Sequence, residues 1–297
     1  MSERGWLVLV LVLMGAGWGV TMPLTKIAVS EGYRQFGLIF WQLVISALIL
    51  GALLAVLRRG LPMGRVPLAF YAMIALVGTV IPNSASYQAA IYLPAGVISI
   101  LLSMVPMFAF PIALLMGNER FAPVRLAGLV FGLIGVSILV LPEASLPERA
   151  MIVFIPLALV SPVLYGLEGN LVARLGTGGT DPIQLLCEAS MVGAVIALPL
   201  AIGSGQWIDP RGPWGAPDWA LVLSSLAHAL VYSTYVWMVG RAGVVFAAQV
   251  SYLVTGFGVV WAMLLLGERY SGWIWAAMAV MLVGLFLIQP RRRDEIG

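Results

Sequence analysis

Apolar runs of about twenty residues, parted by short polar breaks, make up this chain from end to end. The pattern predicts helical spans at 5–27, 36–57, 67–91, 95–117, 123–141, 151–173, 182–203, 218–240, 244–266 and 271–289. At about 1.5 Å per residue each is long enough to cross a hydrocarbon core about 30 Å thick. The breaks carry helix-boundary residues. Pro67 and Pro123 suit a first helical turn, Asp181-Pro182 offers an N-cap followed by proline, and Asp218 and Ser271 can cap spans eight and ten. The longest break, Ser204–Pro217, is rich in Gly and Pro, holds Trp207 and Trp214, and reads as an interfacial loop.

Composition narrows the class. Of 297 residues, 61% are hydrophobic and 10% charged, against about 25% charged in soluble domains. Mean hydropathy is +1.02. The single cysteine, Cys187, excludes an internal disulfide and leaves the redox compartment open. A net charge of +3 without a basic polar domain argues against a nucleic-acid partner and for a charge bias set by membrane topology. The start, Met1-Ser2-Glu3-Arg4, is followed by an apolar run about twice a signal-peptide core, so 5–27 reads as a first span, not a cleaved leader.

One stretch is written twice. Ala95-Gly96-Val97, an apolar run and Glu119-Arg120 recur as Ala242-Gly243-Val244, an apolar run and Glu268-Arg269, each followed at once by another apolar run. The copies lie about half a chain apart, the mark of internal duplication. With the N-terminus inside, the inner segments hold Arg4, Arg58, Arg59, Arg65, Arg120, Arg125, Arg174, Arg241, Arg291, Arg292 and Arg293. The outer ones hold only Lys26, Arg34, Arg149, Arg211 and Arg269, which places both termini in the cytoplasm. Five spans per repeat is an odd number, so the second repeat sits upside down. The expected architecture is an all-α integral membrane fold of ten transmembrane helices in two five-helix inverted repeats, 1–146 and 147–297, in the inner cell membrane. Two such repeats can exchange shapes, which makes inward-open and outward-open states comparable in energy.

At this point the chain resembles the drug/metabolite transporter superfamily, in particular its EamA-type ten-helix members. The matching residues are Trp18-Gly19 with Lys26 eight residues after the tryptophan, Pro106 thirteen residues before Glu119, and the Glu-Arg that closes each fourth-helix equivalent. Tyr165-Gly166 stands in the second half where Trp18-Gly19 stands in the first. Thr255 stands where Pro106 does, so span nine has no proline to repeat the kink of span four. The resemblance implies a central cavity lined mainly by spans one, three, four, six, eight and nine, and alternating access.

Candidate chemistry is sparse. Glu168, Glu188 and His228 are the ionisable side chains well inside spans, where such groups cost about 2.5–3.5 kcal/mol or more at a helix centre and so face a cavity or a partner. His228 lies near the middle of its span; both glutamates lie nearer the cytoplasmic ends, where snorkelling is an alternative. Ser225, His228, Tyr232 and Tyr235 recur at three- and four-residue spacing on one face of span eight. Asn83, Ser84, Tyr87 and Gln88 form overlapping pairs on span three, and span nine carries Gln249, Tyr252 and Thr255. Trp18 and Thr21 share a face of span one, Tyr165 and Glu168 one of span six. Each set can serve as interhelical glue, but together they fall on five of the six cavity helices that the resemblance implies. The candidate substrate-binding residues are therefore Trp18, Asn83, Tyr87, Gln88, Tyr165, Glu168, His228, Tyr232, Tyr235, Gln249 and Tyr252, with Glu168 and His228 as proton-coupling candidates. Trp41, Gln42 and Ser46 stay open between cavity and packing, and Glu119 and Glu268 read as loop or cap residues.

The sequence has no His-Glu-x-x-His, Cys/His cluster, phosphate loop or Gly-x-Ser-x-Gly, which argues against an enzyme, a metal or a cofactor. The expected partners are a small-molecule substrate, the lipid bilayer and a proton as candidate coupling ion. The expected function is a carrier for a small organic metabolite, with amino-acid export the leading class by resemblance. A hydrophobic or quaternary-amine drug exporter and a non-transporting sensor or scaffold are the alternatives.

Overall fold

The computed structural model describes residues 3–61, 64, 67–142, 146–242 and 244–288. Arg65, Gly243, Arg291, Arg292 and Arg293, used in the repeat and charge arguments, lie outside them, as does the end of span ten at 289. The helices in chain order are α1 (Glu3–Gly19 and Thr21–Ser30), α2 (Gln35–Val56), α3 (Leu68–Ala75, Leu76–Val80 and Ile81–Tyr92), α4 (Ala95–Leu102 and Val105–Met116) and α5 (Pro123–Val140). They continue with α6 (Arg149–Phe154 and Ile155–Leu175), α7 (Pro182–Gly203), α8 (Ala216–Ala242), α9 (Val244–Ala248 and Val250–Leu266) and α10 (Gly272–Ile288). Among the described residues nine segments are long and apolar enough to cross a membrane, and α10 adds a shorter apolar helix of 17 residues. No strand occurs among them.

The packing has the symmetry of a duplication. The main contacts are α1 with α8 and α9, α6 with α3 and α4, α2 with α7 and α8, α3 with α7, α4 with α9, and α5 with α10. Exchanging each helix of the first five for its counterpart in the second five returns the same set. An odd repeat length then inverts the second repeat. We call the end of the bundle that carries Glu3 and Ile288 the terminal face, and the opposite end the far face.

The duplicated Trp18-Gly19 and Tyr165-Gly166 owe their glycines to this packing. A Cβ on Gly19 would come within 2.9 Å of the Gly258 amide nitrogen in α9, and one on Gly166 within 2.9 Å of the Ala109 nitrogen in α4. Each glycine lets its helix approach the fourth helix of the opposite repeat. Overpacking of this kind costs about 1–3 kcal/mol. Gly166→Leu is therefore expected to lower the Tm of the purified protein in detergent by several degrees; an unchanged Tm would show that α4 and α6 have room to part.

Three irregularities position the site. Pro82 has no N–H and its ring crowds the carbonyl four residues back. The chain ahead of it widens into a π-helical turn, Leu76–Val80. Carbonyls near this turn find side-chain donors, Val80 from Ser84 Oγ (2.6 Å) and Pro82 from Ser161 Oγ (2.6 Å). α4 breaks at Ser103 and Met104, ahead of Pro106, as a proline requires. α9 breaks too, at Gln249, although no proline follows. Nothing in the local sequence explains that second break.

The expected caps are met in part. Asp181 accepts from Ile183 N (2.9 Å) and forms a capping box with Gln184. α8 begins at Ala216, so Asp218 sits inside its first turn, accepting from Gly215 N (2.8 Å) and from Tyr33 Oη (2.5 Å). Burial and this aspartate push the Tyr33 phenol up to about 12, so the link stays intact at any physiological pH. The loop after α7 folds over α2 on the far face. Gln206 Oε1 accepts from Phe36 N (3.0 Å), the Ile208 carbonyl accepts from Trp41 Nε1 (3.0 Å), and Trp207 packs on Phe40 and Trp41. Next to it, Arg211 holds the exposed Asp209 carboxyl down at about 2.

Candidate functional site

The π-turn of α3 opens onto a cavity of about 120 Å³ at mid-height in the bundle. It is walled by α1 (Thr21, Thr25), α2 (Gln42, Ser46), α3 (Gly78, Thr79, Asn83, Tyr87), α6 (Tyr165), α7 (Ser190) and α8 (Ser224, His228). Its lining draws on α2 and α7, whereas the resemblance implied α4 and α9. The reason is visible in the packing, where α4 and α9 cross each other behind α1 and α6. A larger hollow of about 420 Å³ near Phe70 and Leu175 is lined, among the described residues, without a polar side chain and offers a ligand no hydrogen-bonding side chain.

Its polar wall is a relay. Tyr165 Oη donates to Asn83 Oδ1 (2.6 Å), and Asn83 Nδ2 donates to Gln42 Oε1 (3.1 Å). Tyr87 Oη donates to the same Gln42 oxygen. With that oxygen filled twice, the Gln42 Nε2 donors remain for a ligand. Across the cavity His228 is backed by two aromatic rings that lie outside the lining. The Trp18 ring centroid lies 6.1 Å from that of His228 and 5.7 Å from that of Tyr235. Thr21 Oγ1 donates to the Trp18 carbonyl (2.7 Å).

Glu168 reaches the same space from α6. Its carboxylate rests directly against Gly78 in the π-turn, where any Cβ would overlap the carboxylate carbon and both oxygens. Gly78 is therefore a notch that admits the acid to the cavity wall. Among the described residues no lysine or arginine lines the cavity to face Glu168. Its charge is felt by Tyr165 and Tyr232.

The candidates from the sequence thus divide. Asn83, Tyr87, Tyr165 and His228 line the cavity; Glu168 touches its wall; Trp18 and Tyr235 back His228, with Tyr232 nearby on α8. Gln88 is half-buried on the far-face part of α3, and Gln249 and Tyr252 sit at the α9 break, outside the lining. Glu188 is 2% exposed and lies beside Tyr71 where α7 meets α3, apart from the lining. Gln42, Ser46, Thr25 and Ser190 also line the cavity and are not marked by the sequence pattern. Small hydroxyls look like interhelical glue, and the only signal for Gln42 was its i,i+4 relation to Ser46.

A bundle of inverted repeats enclosing a polar, one-acid cavity at mid-height has the form of a membrane transporter. The comparisons agree. The EamA-like transporter family model matches residues 5–141 and again residues 152–289, and the chain belongs to that family. It is similar to a protein of Streptantibioticus cattleyicolor named "Probable terminal-alkyne amino-acid exporter", with 26% identity over 99% of this chain and 97% of the relative. A solved crystal structure of a protein 14% identical superposes with a TM-score of 0.65, covering 95% of this chain and 96% of that one, a likeness of fold alone.

Proposed function

We propose that this transporter exports small amino acids by alternating access. The observation that carries this reading is the cavity itself: about 120 Å³, walled by hydroxyl and amide side chains and His228, with a carboxylate at its edge. That volume falls below the roughly 300–1,000 Å³ of drug-sized pockets, which favours a small metabolite over a bulky drug. A zwitterion's ammonium would meet Glu168, and its carboxylate would meet the Gln42 amide donors and the hydroxyls beside them. The name of the Streptantibioticus relative supports the same substrate class.

Counterflow of labelled neutral amino acids into liposomes containing the pure protein tests the proposal. Saturable exchange is expected. Competition by quaternary amines alone would point to a drug exporter, and no flux to a sensor or scaffold.

The same proposal places both termini in the cytoplasm and divides the repeats as 1–146 and 147–297. It rests on the arginine bias toward the terminal face. Single cysteines at the exposed positions Arg120 and Arg269 are expected to label from opposite sides of the membrane, Arg120 from the cytoplasm. Labelling of both from one side would overturn the inverted topology.

A further inference from the structure

On the far face, two charged side chains meet around the corner between α3 and α4. Lys26, near the end of α1, points its ammonium at the last carbonyls of α3: Ala90 O (2.6 Å), Leu93 O (3.1 Å) and Ile91 O (3.2 Å). Glu268, just past α9, takes the first amides of α4, with Oε1 accepting from Ala95 N (2.8 Å) and Oε2 from Gly96 N (3.3 Å). Each charge has the sign that its helix end favours, and Lys26 feels the field of Glu268. Tyr270 Oη donates to the Glu268 carboxylate, and burial raises the pKa of that phenol, so it stays a donor. Its ring packs where a side chain on Gly96 would stand. Four helices, α1, α3, α4 and α9, are thus tied together at one corner.

The duplicate of this corner on the terminal face is not built. Glu119, the repeat partner of Glu268, forms an ion pair with Arg125 of its own repeat (3.0 Å) and stays 46% exposed. Phe121 stands where Tyr270 stands and has no hydroxyl; Ala173 stands where Lys26 stands. Packing follows the same bias. The far-face half of α1 packs on α3 and α4, whereas the equivalent half of α6 has no comparable contact with α8 or α9 among the described residues.

We propose that Lys26, Glu268 and Tyr270 form a one-sided latch that holds the far face of the carrier shut, so that the resting protein is closed there and its cycle proceeds only when this corner lets go. The alternative, that Glu268 and Lys26 merely cap helices, gives the fold two satisfied helix ends and no preference for a state. The latch is a property of the empty protein. It does not depend on which substrate the cavity takes, and a failed counterflow assay leaves it untouched. With the terminal face cytoplasmic, the bias suits an exporter, because the empty carrier waits open toward its cargo.

The test is a distance measurement without substrate. Spin labels at Tyr92 and Arg269, both exposed on the far face, are placed in a Cys187→Ser background and measured by double electron–electron resonance in nanodiscs. One short distance is expected to dominate. Glu268→Gln and Lys26→Met are each expected to raise the ratio of long to short distances about tenfold, the effect of losing one charge-assisted contact. Tyr270→Phe, which keeps the ring, is expected to raise it several-fold and supplies the test if either charge variant fails to assemble. Glu119→Gln, made as the repeat control, is expected to leave the distribution unchanged. A wild-type distribution in the assembled latch variants would overturn the proposal, as would a shift in Glu119→Gln equal to that in Glu268→Gln.

Discussion

Glu168→Gln is expected to reduce amino-acid counterflow at least about a hundredfold in kcat/KM while leaving assembly and Tm near wild type. A hundredfold loss corresponds to about 2.7 kcal/mol. A charge-assisted hydrogen bond to a ligand ammonium contributes about 1.5–3 kcal/mol, and a desolvated ammonium left without its counter-charge is costly in addition. Assembly is expected to tolerate the change, because among the described residues this carboxylate caps no helix and forms no ion pair. Gly78→Ala is the independent check. A Cβ there would overlap the carboxylate, so this variant should reproduce much of the loss with the acid still present. Normal counterflow in both variants would remove Glu168 from the site. Loss in Glu168→Gln with Gly78→Ala unaffected would place the acid in transport without the notch.

Much of this architecture was legible in the sequence because the membrane makes the rules strict. Each span must satisfy its own backbone, so run length alone finds helices, and the recurrence of Glu119-Arg120 at Glu268-Arg269 exposes the duplication. The role of the motif glycines was not legible. Trp18-Gly19 reads as a sequence signature, yet a close approach of α1 to α9 is what demands Gly19. The site was half legible for a related reason. His228 announces itself as an ionisable group in mid-span, whereas the polar stripe read with it does not carry over whole: Ser224, not Ser225, lines the cavity. Gln42 does not announce itself, since its importance lies in Asn83 and Tyr87, which reach it from 41 and 45 residues away. Nor does spacing give the aim of a long side chain. Glu268 was read as closing its own helix, but it reaches back 173 residues to the start of α4. The π-turn completes the list: Pro82 announces a disturbance in α3, and only the packing shows that Gly78 within it receives an acid from another repeat.

The second large effect concerns energy coupling, and it follows from there being one acid for two cations. An empty carrier that reorients must move Glu168 across the barrier without its ammonium. An uncompensated buried carboxylate is expensive, and among the described residues no lysine or arginine lines the cavity to neutralise it. A proton is the remaining partner, so ammonium and proton are expected to exclude each other at this side chain. The apparent KM for amino-acid counterflow should then rise as both sides are acidified together. An inward proton gradient should drive amino acids out of inside-acceptor vesicles against their own gradient, one proton returning per amino acid released. The groups facing Glu168 are the Tyr165 and Tyr232 phenols and, across the cavity, His228. His228 is the basic side chain that the lining places there. His228→Ala is accordingly expected to move the pH at which competition sets in, while Glu168→Gln abolishes gradient-driven export altogether. A KM that is flat with pH in the wild type, together with export that ignores the proton gradient, would make this carrier a facilitator and leave Glu168 with the ammonium alone.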